Sequence, residues 1–93
     1  MNERKYPAEV PSIDEVRLRR LTVDEAVPRL DQFLYDAFVA GLVQVRVIHG
    51  KGTGKLRETI RRELKKHPLV KSFRPGGYGE GGEGVTIVAL AEK

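Results

Sequence analysis

The chain has 93 residues and 10.4 kDa, no cysteine, and 17 Lys and Arg against 13 Asp and Glu, a formal net charge of +4. That length allows one domain and excludes a two-domain enzyme, and the missing cysteines exclude disulfides, a thiolate nucleophile and Cys-ligated zinc. No run approaches the roughly 20 apolar residues of a membrane-spanning helix and no apolar stretch follows the polar start to make a signal peptide, so the expectation is a soluble cytoplasmic protein that contacts no membrane.

Residues 1–14, with Pro7 and Pro11 and little apolar periodicity, read as a flexible tail or the end of a linker, and 15–93 as the domain. Val16, Leu18 and Leu21 alternate with Arg17 and Arg19, the period of a short strand with one buried face. Thr22-Val-Asp-Glu25 has capping-box spacing, and Ala26, Leu30, Phe33, Leu34, Ala37 and Phe38 follow three and four apart, which predicts a helix over 23–40 closed by Gly41. Pro28 lies beyond its first turn, where a missing N–H should kink or delay the helix. The β-branched run 42–48 predicts a central strand. Leu56, Ile60 and Leu64 mark a second helix over 53–67, stopped by Pro68. A strand at 70–73, a mobile loop at 75–84 with six glycines in ten residues, and a last strand at 85–90 complete the chain. The order β-α-β-α-β-β implies an α/β chain, an α+β two-layer sandwich in which two helices cover one face of a four-stranded mixed sheet.

Charge is unevenly spread. Residues 43–74 carry ten Lys and Arg against Glu58 and Glu63, a net of +8, which leaves −4 for the rest. A basic middle between acidic flanks is the footprint of a polyanion-binding face, because phosphate neutralisation and counterion release supply most non-specific nucleic-acid affinity. The centre of this region is His49-Gly-Lys-Gly-Thr-Gly54, which joins a strand to a helix. Its glycines let the backbone turn and a phosphate approach, and the helix start offers free N–H groups. It is not a Walker A loop, since Lys55 stands in the second glycine's place and Leu56 where a hydroxyl is needed, and its third glycine comes one residue early for a dinucleotide fingerprint. ATP and NAD are therefore not expected here. Gly50, Lys51, Gly52, Thr53, Gly54, Lys55 and Arg57 are the expected phosphate contacts, with Arg17, Arg20 and Arg61 as further basic contacts. Arg61, Arg62, Lys65 and Lys66 are expected on the exposed side of the second helix.

These residues resemble the small MutS-related (Smr) domain, in particular the one at the C-terminus of the second MutS family. The likeness rests on Leu18-Arg-Arg-Leu-Thr-Val-Asp-Glu-Ala26, on Val47-Ile-His-Gly-Lys-Gly-Thr-Gly-Lys-Leu-Arg57, on His67-Pro-Leu-Val-Lys-Ser-Phe73 and on the glycine-rich loop leading into Gly84-Val-Thr-Ile-Val88. The resemblance implies a fold like that of the C-terminal domain of a bacterial translation initiation factor. It also implies nicking endonuclease or nucleic-acid-binding activity, on DNA in recombination suppression and repair or on mRNA or ribosomal RNA at stalled ribosomes. A parent protein would carry the ATPase, so ATP belongs to other domains, and the isolated domain is expected to be a monomer. The family's Leu-Asp-x-Arg-Gly stretch reads Val16-Arg17-Leu18-Arg19-Arg20 here, so a permanent cation replaces the acid while Arg19 matches the family's arginine.

Three readings follow. In a phosphodiester-cleaving domain His49 moves a proton, Arg19 stabilises developing negative charge and Lys51 holds the phosphate. That needs no nucleotide cofactor, and a magnesium or manganese ion could enter only through distant residues. In a phosphate-docking module the same loop anchors a parent ATPase to branched DNA or RNA without chemistry. In a protein-binding module the basic face meets an acidic partner.

Overall fold

The computed structural model describes residues 14–93. The expected tail lies outside them except for Asp14, whose carbonyl accepts from the Arg46 N–H at 2.8 Å, so the sheet already begins there. The elements are β1 (Glu15–Arg17), α1 (Val23–Val39), β2 (Gln44–Ile48), α2 (Lys55–Lys66), β3 (Val70–Pro75), a 3-10 turn (Gly82–Gly84) and β4 (Val85–Leu90).

The strands lie in the order β1-β2-β4-β3, with β1 parallel to β2 and β4 antiparallel to both β2 and β3. Both β-α-β crossovers step the same way across the sheet. Right-handed crossovers then bring both helices to one face, where α1 and α2 touch. Val16, Val47 and Thr86 form one row across this face and Val45, Val88 and Phe73 the next. Leu30, Leu34, Ile60 and Leu64 from the helices close over them with almost no exposure. The other face carries the row Glu15, Arg46, Ile87 and Arg74.

Local chemistry sets the element ends. Thr22 and Glu25 form the expected capping box at the start of α1, with Thr22 Oγ1 accepting from the Glu25 N–H at 3.2 Å and Glu25 Oε1 from the Thr22 N–H at 3.0 Å. Pro28 sits inside α1 without breaking it. An interior proline costs about 3 kcal/mol, whereas burying Leu30 and Leu34 returns about 1.5–3 kcal/mol each, so packing wins. At the far end Gly41 (φ 83°) donates to the Phe38 carbonyl and Leu42 to the Ala37 carbonyl. This paired closure wraps Leu42 back onto the helix, so β2 starts at Gln44 rather than at residue 42. The second helix likewise starts at Lys55 rather than 53, because Gly54 (φ 87°) is its cap, and β3 runs two residues further than expected, to Pro75, which an edge strand tolerates.

The segment 75–84, expected as a mobile loop, carries specific contacts. Arg74 grips Glu80 through two hydrogen bonds of 2.7 and 2.9 Å, and Glu80 also accepts from the Gly77 N–H at 2.7 Å. These contacts hold the Glu80 carboxyl down at about 2, well below its ordinary value. Downstream, the Gly84 carbonyl accepts from the N–H groups of both His49 and Gly50, at 3.1 and 2.9 Å. These bonds tie the segment's end to the start of the loop after β2. Among the described residues no helix is long and apolar enough to cross a membrane.

Candidate nucleic-acid interface

The chain leaves β2 into His49 and then a tight loop that ends at α2. Gly50 has φ of 77°, a conformation glycine adopts freely, and a Cβ there would stand a tight 3.3 Å from Cβ of Arg19, so its bare backbone lets the loop lie closely against the chain leaving β1. Gly54 closes the loop through its N–H to the Lys51 carbonyl at 2.9 Å and begins α2 with no side-chain cap.

Beside the loop is an open cleft of about 490 Å³ between the starts of the two helices. Arg20, Leu21, Thr22, Val23 and Asp24 form one wall; the other runs from His49 through Lys51, Gly52, Thr53, Gly54 and Lys55 to Leu56. The two helix N-termini differ. That of α1 is satisfied by its own capping box, whereas Gly54 offers α2 nothing, and only the Lys55 N–H finds a hydroxyl, that of Thr53, at 3.3 Å. The unmet positive end of a helix dipole thus faces the cleft from the α2 side.

The cations divide by partner. Arg17 and Arg46 face Glu15, Arg57 faces Glu83 at 3.9 Å, Lys66 faces Glu63 and Arg74 faces Glu80. Among the described residues Arg29, Arg62, Lys65 and Lys71 on the helices and β3 make no ion pair, and neither do Arg19, Arg20, Lys51 and Lys55, which are all exposed around the loop. Such an unneutralised group is an anion-binding field waiting for its counter-charge.

His49 lies under the loop rather than in the open. It is 3% exposed, with Nδ1 2.8 Å from the Gly50 carbonyl oxygen and Nε2 2.8 Å from Thr86 Oγ1. A carbonyl only accepts, so Nδ1 carries the hydrogen and Nε2 accepts from the Thr86 hydroxyl. Thr86 Oγ1 in turn accepts from Arg61 Nε at 3.3 Å. The chain of donors Arg61 to Thr86 to His49 to Gly50 is therefore complete with a neutral imidazole. Burial pushes the His49 pKa below its ordinary value; the Gly50 bond opposes this, and the charges of Arg61 and Arg57 add to it.

Most of the expected site residues come together. Gly50, Lys51, Gly52, Thr53, Gly54 and Lys55 form the loop and cleft wall, Arg19 packs on Gly50, Arg57 reaches Gly54, and Arg20 lies across the cleft. Two depart from expectation. Arg17 points to the uncovered sheet face beside Glu15, away from the cleft, because it alternates with inward-facing Val16. Arg61 is turned inward to Thr86 instead of standing on the exposed side of α2 with Arg62, because it follows Arg57 by one turn on the side of α2 that meets β4. Two further residues join the site, Thr86 and Glu83. Thr86 had a legible signal: a hydroxyl at a fully buried position within Val85-Thr-Ile-Val-Ala-Leu90, in step with inward-facing Val88 and Leu90. Glu83 had none, since only the loop's path brings it to Arg57. Among the described residues no group of three or more His, Cys, Asp or Glu side chains gathers to hold a metal ion.

The family model described as Smr domain matches residues 16–91. The chain belongs to the Smr domain family. It is 56% identical over 82 residues to Endonuclease MutS2 of Caldicellulosiruptor saccharolyticus and 57% identical over 76 residues to that of Clostridium tetani, covering 87% and 82% of this chain. In both cases it spans only 10% of the relative's length. Among solved structures, the Smr domain of Thermus thermophilus MutS2 matches with a TM-score of 0.81 at 51% identity, over 84% of this chain and 98% of that one. YdaL, a stand-alone small MutS-related protein from Escherichia coli, matches with the same TM-score at 28% identity, over 91% and 70%. The β-α-β-α-β-β sandwich read from the sequence is thus the Smr fold, and the loop 49–54 lies inside the matched region.

Proposed function

We propose that this Smr domain grips the phosphodiester backbone of a nucleic acid in the cleft between the starts of α1 and α2. The observation that carries the reading is the set of four exposed, unpaired cations, Arg19, Arg20, Lys51 and Lys55, gathered around a glycine loop and an uncapped helix start. A phosphate there would receive backbone N–H groups from the loop and charge from the lysines and arginines. With about four phosphate contacts, log affinity for duplex DNA should fall with log salt at a slope near −3.6. Lys51→Ala should weaken binding to a labelled DNA duplex and to a labelled single-stranded RNA and make that slope about 0.9 shallower on the duplex; unchanged binding in Lys51→Ala and Lys55→Ala would sink the proposal.

A second reading, endonuclease, is favoured by the name its relatives carry. Here Arg19 and Lys51 stabilise charge on the attacked phosphate. His49, with both ring nitrogens engaged, supports the loop and moves a proton only if the Thr86 or Gly50 link opens. Nicking of supercoiled plasmid or cutting of a structured RNA by the chain, with and without magnesium or manganese, separates this reading from docking alone. Loss of cutting in Arg19→Ala with fold retained supports catalysis; binding without cutting in any condition leaves a docking module. Either way the domain needs no nucleotide cofactor, and it would serve a cytoplasmic parent ATPase as its contact with branched DNA, mRNA or ribosomal RNA.

A further inference from the structure

The Leu21 N–H donates to the Leu18 carbonyl at 3.2 Å and closes a β-turn whose third residue is Arg20. Arg20 has φ of 72° and is the one residue other than glycine with positive φ among the described residues. A positive φ at that turn position is ordinarily met by glycine or asparagine, because the Cβ of other residues crowds the neighbouring carbonyl oxygen. No polar contact within the fold repays it. The Arg20 side chain is exposed and makes no hydrogen bond or ion pair among the described residues. Its position on the cleft wall opposite Lys51 and Lys55 is what remains to account for it.

We infer that Arg20 is a phosphate-binding residue kept at a cost to stability. It supplies the α1 wall with a guanidinium that grips the backbone from the side opposite the glycine loop. This rests on the cleft being the nucleic-acid site. Thr22 and Asp24, its neighbours on that wall, are an uncharged cap and an acid, so without Arg20 the wall would carry no positive charge and a strand would be held from one side only. A guanidinium presents two parallel N–H groups to a phosphate, which an ammonium cannot do.

The test is a matched measurement of melting temperature and of salt-dependent binding on the 93-residue chain, using a labelled DNA duplex and a labelled poly(U) strand. Arg20→Gly should raise Tm by about 4 °C or more, while making the slope of log affinity against log salt about 0.9 shallower on the duplex and about 0.7 on the single strand. Arg20→Asn should likewise raise Tm and lose the same slope, because asparagine tolerates the left-handed conformation without the charge. Arg20→Lys should leave Tm unchanged and keep the slope. If Arg20→Gly gains stability and keeps the parent slope, or loses slope without gaining stability, the inference is overturned. Lys51→Ala and Lys55→Ala measured alongside separate the two levels. If they weaken binding and Arg20→Gly does not, the inference alone fails; if neither lysine variant weakens it, the cleft is not the site and the inference falls with it.

Discussion

Thr86 is one hydroxyl in an otherwise apolar strand, yet it joins three elements, because it stands in β4, accepts from Arg61 of α2 and donates to His49 at the end of β2. Replacing it with valine keeps the shape and strands the buried His49 Nε2 without a partner, which costs about 1–3 kcal/mol. Chemical denaturation should show that loss for Thr86→Val and a much smaller one for Thr86→Ser. The same network makes His49 a pH-sensitive strut. Its folded pKa is lowered from 6.5, so the folded state takes up a proton less readily than the unfolded chain. The stability contributed is fully present above about pH 6.5 and is lost as pH falls from there through the folded pKa. Tm should therefore decline on mild acidification, and His49→Asn, although less stable throughout, should lack that part of the decline.

Among the elements, α1 and the glycine-rich segment before β4 are the most informative. Pro28 is exposed and removes one N–H donor from a helix whose Ala26, Leu30, Leu34 and Ala37 are buried. Pro28→Ala should restore that donor and stabilise the chain by about 2 kcal/mol after the stiffness proline gives the unfolded state is discounted, as measured by urea denaturation. The glycine-rich segment depends on Glu80. Its carboxyl is held at about 2, so this contribution is present above about pH 4.5 and disappears as pH falls towards 2. Glu80→Gln should remove that acid-sensitive step and speed amide exchange at Gly77, while leaving the step near pH 6.5 in place.

At the scale of the whole molecule, what was legible in the sequence was whatever short-range patterning decides. The Thr22 and Glu25 box and Gly41 bound α1, the run 85–90 is β4 to the residue, and the glycine loop lies at a strand-to-helix junction. What was hidden depends on strands distant in sequence lying side by side. The insertion of β4 between β2 and β3 brings Thr86 to His49, 37 residues away in sequence, and turns Arg61 from a surface charge into a half-buried donor. Helical periodicity at Leu56, Ile60 and Leu64 places Arg61 near the boundary of the apolar stripe, and only the neighbouring strand decides on which side of it the side chain falls. The tie between Glu80 and Arg74 escaped for the same reason, since six glycines in ten residues say that a backbone can bend and nothing about what a single carboxylate will hold.

The sheet order also settles where the described chain begins and ends. β1 runs parallel to β2, and β4 runs back from the loop end, so Asp14 and the residues after Leu90 lie together at the end of the sheet opposite the cleft; there Lys93 donates to the Val39 carbonyl at the foot of α1. Asp14 and Leu90 therefore stand behind the domain, about five strand residues or some 17 Å from the loop. Anchoring the chain to a sensor chip by a biotin after Lys93 should leave the glycine loop facing solution, with the same binding curve as the chain free in solution.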